Sequence, residues 1–208
     1  MKNNMKYLNR LPPHKYPWLP ILYSLIITFK PKKIIEYGTE HGGTAIVMAL
    51  ALKELYETEN HLGKIFTYDT FEQQSKGEIG SNPNYQLAIS NISNYNPSVR
   101  EFINVARGDF FEFNKDPNKQ YDLLYFDIDN DGEKLLEMYN NNKTNIDNGS
   151  IVIFEGGTQI RDNVPWMINK NKTQMNSVKD QVPYVSLTPN QKYSCSIIYN
   201  PNLYQLTL

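Results

Sequence analysis

Short apolar runs, most of them closed by an acid, alternate along this chain with longer amphipathic stretches. The first such run is Lys33-Ile34-Ile35-Glu36-Tyr37; Gly38, Gly42 and Gly43 follow it, and the apolar-faced stretch 44–57 predicts a helix. Residues 64–68, ending at Asp69, predict a second strand, 85–95 a helix, and 102–106 a third strand ahead of Arg107-Gly108-Asp109-Phe110-Phe111. Residues 121–127 are apolar on both faces, as a central parallel strand should be, and 133–141 predict a helix behind them. A fifth strand covers 150–155, and 163–169 predict a short helix with Pro165 in its first turn. Two late strands, 182–187 and 193–199, have no long helix between them and suit an antiparallel hairpin. Upstream, prolines make 1–16 an extended arm, and the apolar run 20–29 predicts a helix starting near Pro17 or Pro20. The fold class is therefore α/β: a doubly wound, mostly parallel seven-stranded sheet with a C-terminal antiparallel hairpin, helices on both faces, and one domain over 17–208.

Five strands deliver an acid at or just past their carboxyl end: Glu36, Asp69, Asp109, Asp127 and Glu155. Ligands of open α/β sheets bind at that edge. The turn after the first strand narrows the ligand. Gly38, Gly42 and Gly43 do not follow the dinucleotide spacing G-x-G-x-x-G, and the lysine of a phosphate loop is missing. Glu36, two residues before Gly38, would repel a pyrophosphate but could receive an ammonium or a bound water.

On these residues the chain resembles the Rossmann-like (class I) S-adenosylmethionine-dependent methyltransferases. Glu36-Tyr37-Gly38-Thr39-Glu40-His41-Gly42-Gly43-Thr44 resembles their first motif, Phe126-Asp127-Ile128-Asp129 their fourth-strand motif, and 151–157 their fifth strand. Within the family the look is nearest to small sugar, macrolide and catechol-type O-methyltransferases. The resemblance implies S-adenosylmethionine as cofactor, with Gly38, Gly42, Gly43 and Thr44 shaping its turn beside Glu36 and Tyr37. It also implies Asp69 on the ribose with Thr70 beside it, Phe71 over the adenine or else in the core, Gly108, Asp109 and Phe110 at the adenine, and Asp127 near the methionine part. For proton removal from a hydroxyl acceptor it leaves two routes open. One is Mg²⁺ or another divalent cation on Asp127, Asp129 and Glu155. The other is a metal-free base, with His41 and Glu155 as candidates. Two departures bear on the metal: Asn130 stands where catechol-type enzymes have a lysine, and Glu155-Gly156 replaces their acid pair. Arg161, Asp162 and Trp166 are candidate acceptor contacts, and 72–84 a candidate lid over the cofactor. The alternatives are another nucleotide-using α/β enzyme, such as an oxidoreductase, and a methyltransferase-like domain that only binds.

Composition trims the classes. Of 208 residues, 40% are hydrophobic and 21% charged, which is globular, and the net charge of −1 leaves no footprint for long nucleic acid. The resemblance implies a small-molecule acceptor as the partner, and a homo-oligomer is compatible with the composition. A single cysteine, Cys195, in a strand-like run excludes an internal disulfide and a thiolate zinc cluster. No run approaches the length of a membrane span, and no apolar leader follows Met1, so a cytoplasmic protein is expected.

Overall fold

Pro20 sits in the first turn of helix α1 (Leu19–Phe29), where its missing N–H costs nothing. Leu19, Leu22, Tyr23 and Ile26, spaced at one helical face, are its buried residues. Lys30 ends it in the left-handed conformation, its N–H bonded to the Ile26 carbonyl. In this computed structural model the described residues are 18–71, 85–116, 119–169, 171–187 and 194–203, so the expected arm at 1–16 and the candidate lid at 72–84 lie outside them. The chain divides into two compact units, residues 1–112 and 113–208.

The first unit holds β1 (Lys33–Tyr37), α2 (Gly43–Glu59), β2 (Lys64–Asp69), α3 (Tyr85–Tyr95), α4 (Pro97–Arg100) and β3 (Ile103–Arg107). Its strands are parallel in the order β3-β2-β1. The register sets Glu36 opposite Thr67 and Tyr37 opposite Tyr68. Helix α2 is buried along Ala45 to Leu52 and at Leu55, and α1 packs on it. Residues of this kind gain about 1.5–3 kcal/mol each on full burial, and they anchor the turn that precedes the helix.

Helix α5 (Phe110–Asn114) leads into the second unit: β4 (Leu123–Phe126), α6 (Gly132–Asp147), β5 (Ile151–Glu155), α7 (Gln159–Asp162), α8 (Pro165–Ile168), a 3₁₀ turn (Met175–Val178), β6 (Val185–Leu187) and β7 (Cys195–Ile198). β4 and β5 are parallel; β7 pairs antiparallel with β5, and β6 antiparallel with β7, giving the order β4-β5-β7-β6. The closing hairpin thus enters with its later strand innermost.

Two elements depart from expectation. Helix α6 runs on to Asp147 through the asparagine-rich stretch that was expected to end it. Asn142 is buried there, accepting from the Tyr121 hydroxyl at 2.7 Å and donating to Asn114 Oδ1 at 2.7 Å, so a tertiary network overrides a weak local propensity. The short helix expected over 163–169 is there as α8, with Pro165 in its first turn, but a further short helix, α7, precedes it, the two separated where Val164, ahead of Pro165, is extended (φ −67°, ψ 143°). Among the described residues no helix is long and apolar enough to cross a membrane.

Candidate functional site

The turn after β1 is built from positive-φ backbone. Gly38 (φ +100°) continues the ladder by donating its N–H to the Tyr68 carbonyl at 3.0 Å. Glu40 (φ +48°) donates its N–H to Asp69 Oδ2 at 2.9 Å, and Gly42 (φ +82°) closes the turn on the Thr39 carbonyl at 2.7 Å. Gly42 then stands at the N-cap of α2, and no side chain caps that end. The first turn of α2, Gly43 and Thr44 included, therefore offers N–H groups and a positive dipole end. His41 is half-buried in this turn, its carbonyl accepting from Asn91 Nδ2 at 3.1 Å.

Asp69, at the end of β2, binds two loops at once. Its other oxygen, Oδ1, accepts from the Phe71 N–H at 2.8 Å, while its carbonyl accepts from Gly108 N at 3.1 Å. The ends of all three parallel strands are thereby tied together. Thr70 is exposed beside it, and Phe71 (φ +52°) is buried edge-on to Tyr85, ring centroids 5.2 Å apart. Asp109 is exposed and accepts from Phe111 N at 2.9 Å. Phe110 is buried against the ring of Tyr37 (5.0 Å), which in turn stacks on Tyr68 (5.4 Å). Tyr37 and Phe110 therefore act as core beneath the site. Gly108 leaves room for Tyr68, whose ring carbon would lie 3.1 Å from an added Cβ.

Glu36 is fully buried at the head of this turn, and neither carboxyl oxygen has a hydrogen-bond partner of good geometry among the described residues. Burial pushes its pKa up from 4.5 to about 8; the nearby Thr67 hydroxyl lowers it in part, and the Asp69 charge raises it further. Thr67 has its own partner in the buried Thr39 hydroxyl, 2.5 Å away. No sequence signal marks this threonine pair; it follows from the register that sets Thr67 opposite Glu36 and from the turn that returns Thr39 to it.

In the second unit Asp127 is half-buried past the end of β4, and Asp129 takes two lysines. Lys134 Nζ lies 2.8 Å from Asp129 Oδ2, and Lys172 Nζ is bonded to the same oxygen. Burial works to raise the Asp129 pKa, but the two lysines outweigh it and hold the carboxyl below its ordinary range. Glu155 is buried at the end of β5 and paired with Arg161. Arg161 and Asp162, expected as acceptor contacts, are instead buried: Asp162 Oδ2 accepts from Asn176 N at 2.8 Å. Short helix α7 turns both inward because Thr158 caps it, accepting from Arg161 N at 3.2 Å. Gly156 (φ +100°) and Gly157 (φ +88°) let the chain thread between Asn130, Met175, Tyr184 and Ser196. Among the described residues no three His, Cys, Asp or Glu side chains gather to hold a metal. Lys134 and Lys172 carried no signal in the sequence, one lying five residues and the other 43 from Asp129.

The fold and the glycine turn define a Rossmann-like α/β protein with its ligand edge at the carboxyl ends of the strands. Residues 35–155 match a family described as "Methyltransferase domain", and the chain belongs to it. Among solved structures, the Podospora anserina methyltransferase PaMTH1 bound to SAH superposes with a TM-score of 0.60 at 12% identity, over 95% of this chain and 86% of that one. The O-methyltransferase TomG from Streptomyces achromogenes, in complex with SAM and involved in tomaymycin synthesis, gives 0.57 at 14% identity over 95% and 86%. An O-methyltransferase from Bacillus cereus in complex with SAH gives 0.55 at 16% over 94% and 87%. These likenesses establish the doubly wound α/β fold. A comparison with curated proteins finds no match.

Proposed function

We propose that this protein, as a single catalytic domain over 17–208, transfers a methyl group from S-adenosylmethionine to an oxygen of a small hydroxylated acceptor, with sugars the first class to test. The cofactor supplies a methyl group on a positively charged sulfur, so the chain must hold a cationic amino-acid part and a ribose and align the acceptor. The observation that carries this proposal is Glu36, a buried carboxyl without a hydrogen-bond partner at the head of an uncapped helix. An ammonium would draw the proton off and be received by the ionised carboxylate, whereas a pyrophosphate would gain nothing from a buried acid and would be repelled by it once ionised. Asp69 holds the ribose with the lone pairs left over after its two backbone amides, since a carboxylate offers about four acceptor sites. Phe71 and the exposed Asp109 flank the adenine side. His41, with access to solvent in the turn, takes the acceptor proton. Glu155 does not serve, because its carboxylate is committed to Arg161. Support also comes from the fold neighbours crystallised with SAM or SAH. The site of action is the cytoplasm.

Calorimetry with S-adenosylmethionine and, separately, NAD tests the cofactor: the first binds and the second does not. Failure of the first to bind sinks the proposal. Tritiated methyl transfer to a panel of sugars and phenols then identifies the acceptor class, and His41→Gln lowers the rate with cofactor affinity unchanged.

A further inference from the structure

A divalent cation of the Mg²⁺ type takes oxygen ligands, usually one or more carboxylates with waters completing the shell. Two of the three candidate carboxylates at the ends of β4 and β5, Asp129 and Glu155, do not fit that need. Asp129 Oδ2 already accepts from Lys134 at 2.8 Å and from Lys172. Its Oδ1 is buried without a partner, but a single oxygen beside two ammonium groups repels a dication more than it holds one. Glu155 is bound to Arg161, the two side chains only 7% and 4% exposed. A buried pair of this kind is costly to break, since either partner would be left as an uncompensated charge.

The cations are held by backbone geometry. Lys134 rides on the first turn of α6, whose start is fixed by Asp131 accepting from Glu133 N at 2.9 Å. Lys172 arrives on the segment before the 3₁₀ turn. That segment is fastened to the same helix start, with Gly132 N donating to the Thr173 carbonyl at 2.8 Å and Thr173 Oγ1 donating to Glu133 Oε1 at 3.1 Å. The two ion clusters lie on adjoining loops. β4 and β5 are parallel neighbours, and Asn130 Oδ1 is 2.9 Å from where a Cβ on Gly156 would stand.

We infer that Lys134 and Lys172 on Asp129, together with Arg161 on Glu155, are the resident cations of this edge, and that the protein binds no divalent metal there. The inference rests on the proposed activity, in which this edge faces the acceptor. The fixed ammonium and guanidinium groups then supply the positive charge that a metal supplies elsewhere, and the activity is indifferent to chelators.

The test is a Mn²⁺ titration of the full chain, with free ion followed by electron paramagnetic resonance. Free Mn²⁺ is expected to equal added Mn²⁺. One equivalent of depletion that Asp129→Asn or Glu155→Gln abolishes overturns the inference. Depletion that Asp127→Asn abolishes overturns it as well, whereas depletion that all three variants leave unchanged supports it, because the carboxylates of this edge then hold no metal. The double variant Lys134→Met/Lys172→Met, checked for folding by circular dichroism, with Lys→Gln as the fallback, frees Asp129 and is expected to gain Mn²⁺ binding that a third change, Asp129→Asn, removes. No gain in a folded double variant overturns the inference. S-adenosylmethionine titrated into the same samples under chelator reads the proposed activity separately. Absent cofactor binding sinks that proposal, whereas Mn²⁺ on Asp129 sinks this one.

Discussion

Glu36 is the residue on which the proposed cofactor site turns. Its pKa stands at about 8 in the folded chain against 4.5 for an ordinary glutamate, chiefly through burial. The folded state therefore keeps this proton where the unfolded state has released it. By linkage the contribution is fully present below pH 4.5 and is lost as pH rises through about 8. Glu36→Gln removes that slope: urea unfolding across the window should show wild-type stability falling relative to the variant as pH rises. Parallel curves would mean that the acid is not buried protonated. Cofactor binding runs the other way. An ammonium drawn to Glu36 ionises it, so binding below pH 8 releases a proton, seen as a dependence of the calorimetric heat on buffer ionisation enthalpy. The Gln variant loses that release and about 1.5–3 kcal/mol of affinity, the scale of a charged hydrogen bond. The sequence made the acid and its distance from Gly38 legible. It did not disclose the burial or the Thr39–Thr67 pair, because both depend on the register between β1 and β2.

At the scale of elements, the first turn and the helix behind it form one rigid unit through α3. A Cβ on Gly42 would lie 2.8 Å from Ile92 Cγ1 and 2.9 Å from Cδ1, at a φ of +82° that side chains rarely adopt. Gly42→Ala should cost about 1–3 kcal/mol from backbone strain alone, with the clash added. Ile92→Ala should cost about 2–5 kcal/mol through its cavity. In a double-mutant cycle the pair should be less destabilised than the sum, since the cavity admits the new methyl group while the strain persists. Additive costs would show that Ile92 does not bear on the turn. Strands β1 to β3 and helices α2 and α3 fall close to where periodicity places them, because their apolar runs coincide with buried positions such as Ile34 and Ile35, Ala45 to Leu52, and Ala88 and Ile92. The misjudged parts are polar. The end of α6 was set by Asn142 bonding across to Tyr121, and the inward turn of Arg161 by a partner six residues back; neither bond has a local pattern. The ion pairs on two of the candidate metal ligands, Asp129 and Glu155, escape the sequence for the same reason. Lys134 and Lys172 are brought to Asp129 by the fold alone.

At the scale of the whole molecule, every cofactor-binding residue proposed on the first three strands lies in the unit 1–112, and the three strand ends are cross-linked through one residue, Asp69. Asp69 joins the β1 turn to the β2 end by hydrogen bonds, and its carbonyl joins the β3 end, so a ligand that engages Asp69 orders three loops together. Ligand present at about 100 times its dissociation constant adds roughly 2.7 kcal/mol to unfolding. That gain should appear locally as well as globally. Amide hydrogen exchange with S-adenosylmethionine bound is expected to slow most at 36–44, 69–71 and 107–110, where the backbone N–H groups of the turn and strand ends lie. Asp69→Ala should abolish the concerted protection and speed exchange at Glu40 and Phe71 even without ligand, since both amides lose their acceptor. If protection in the wild type appeared at only one of the three segments, or survived the substitution, Asp69 would be a structural tie and the ribose would be held elsewhere.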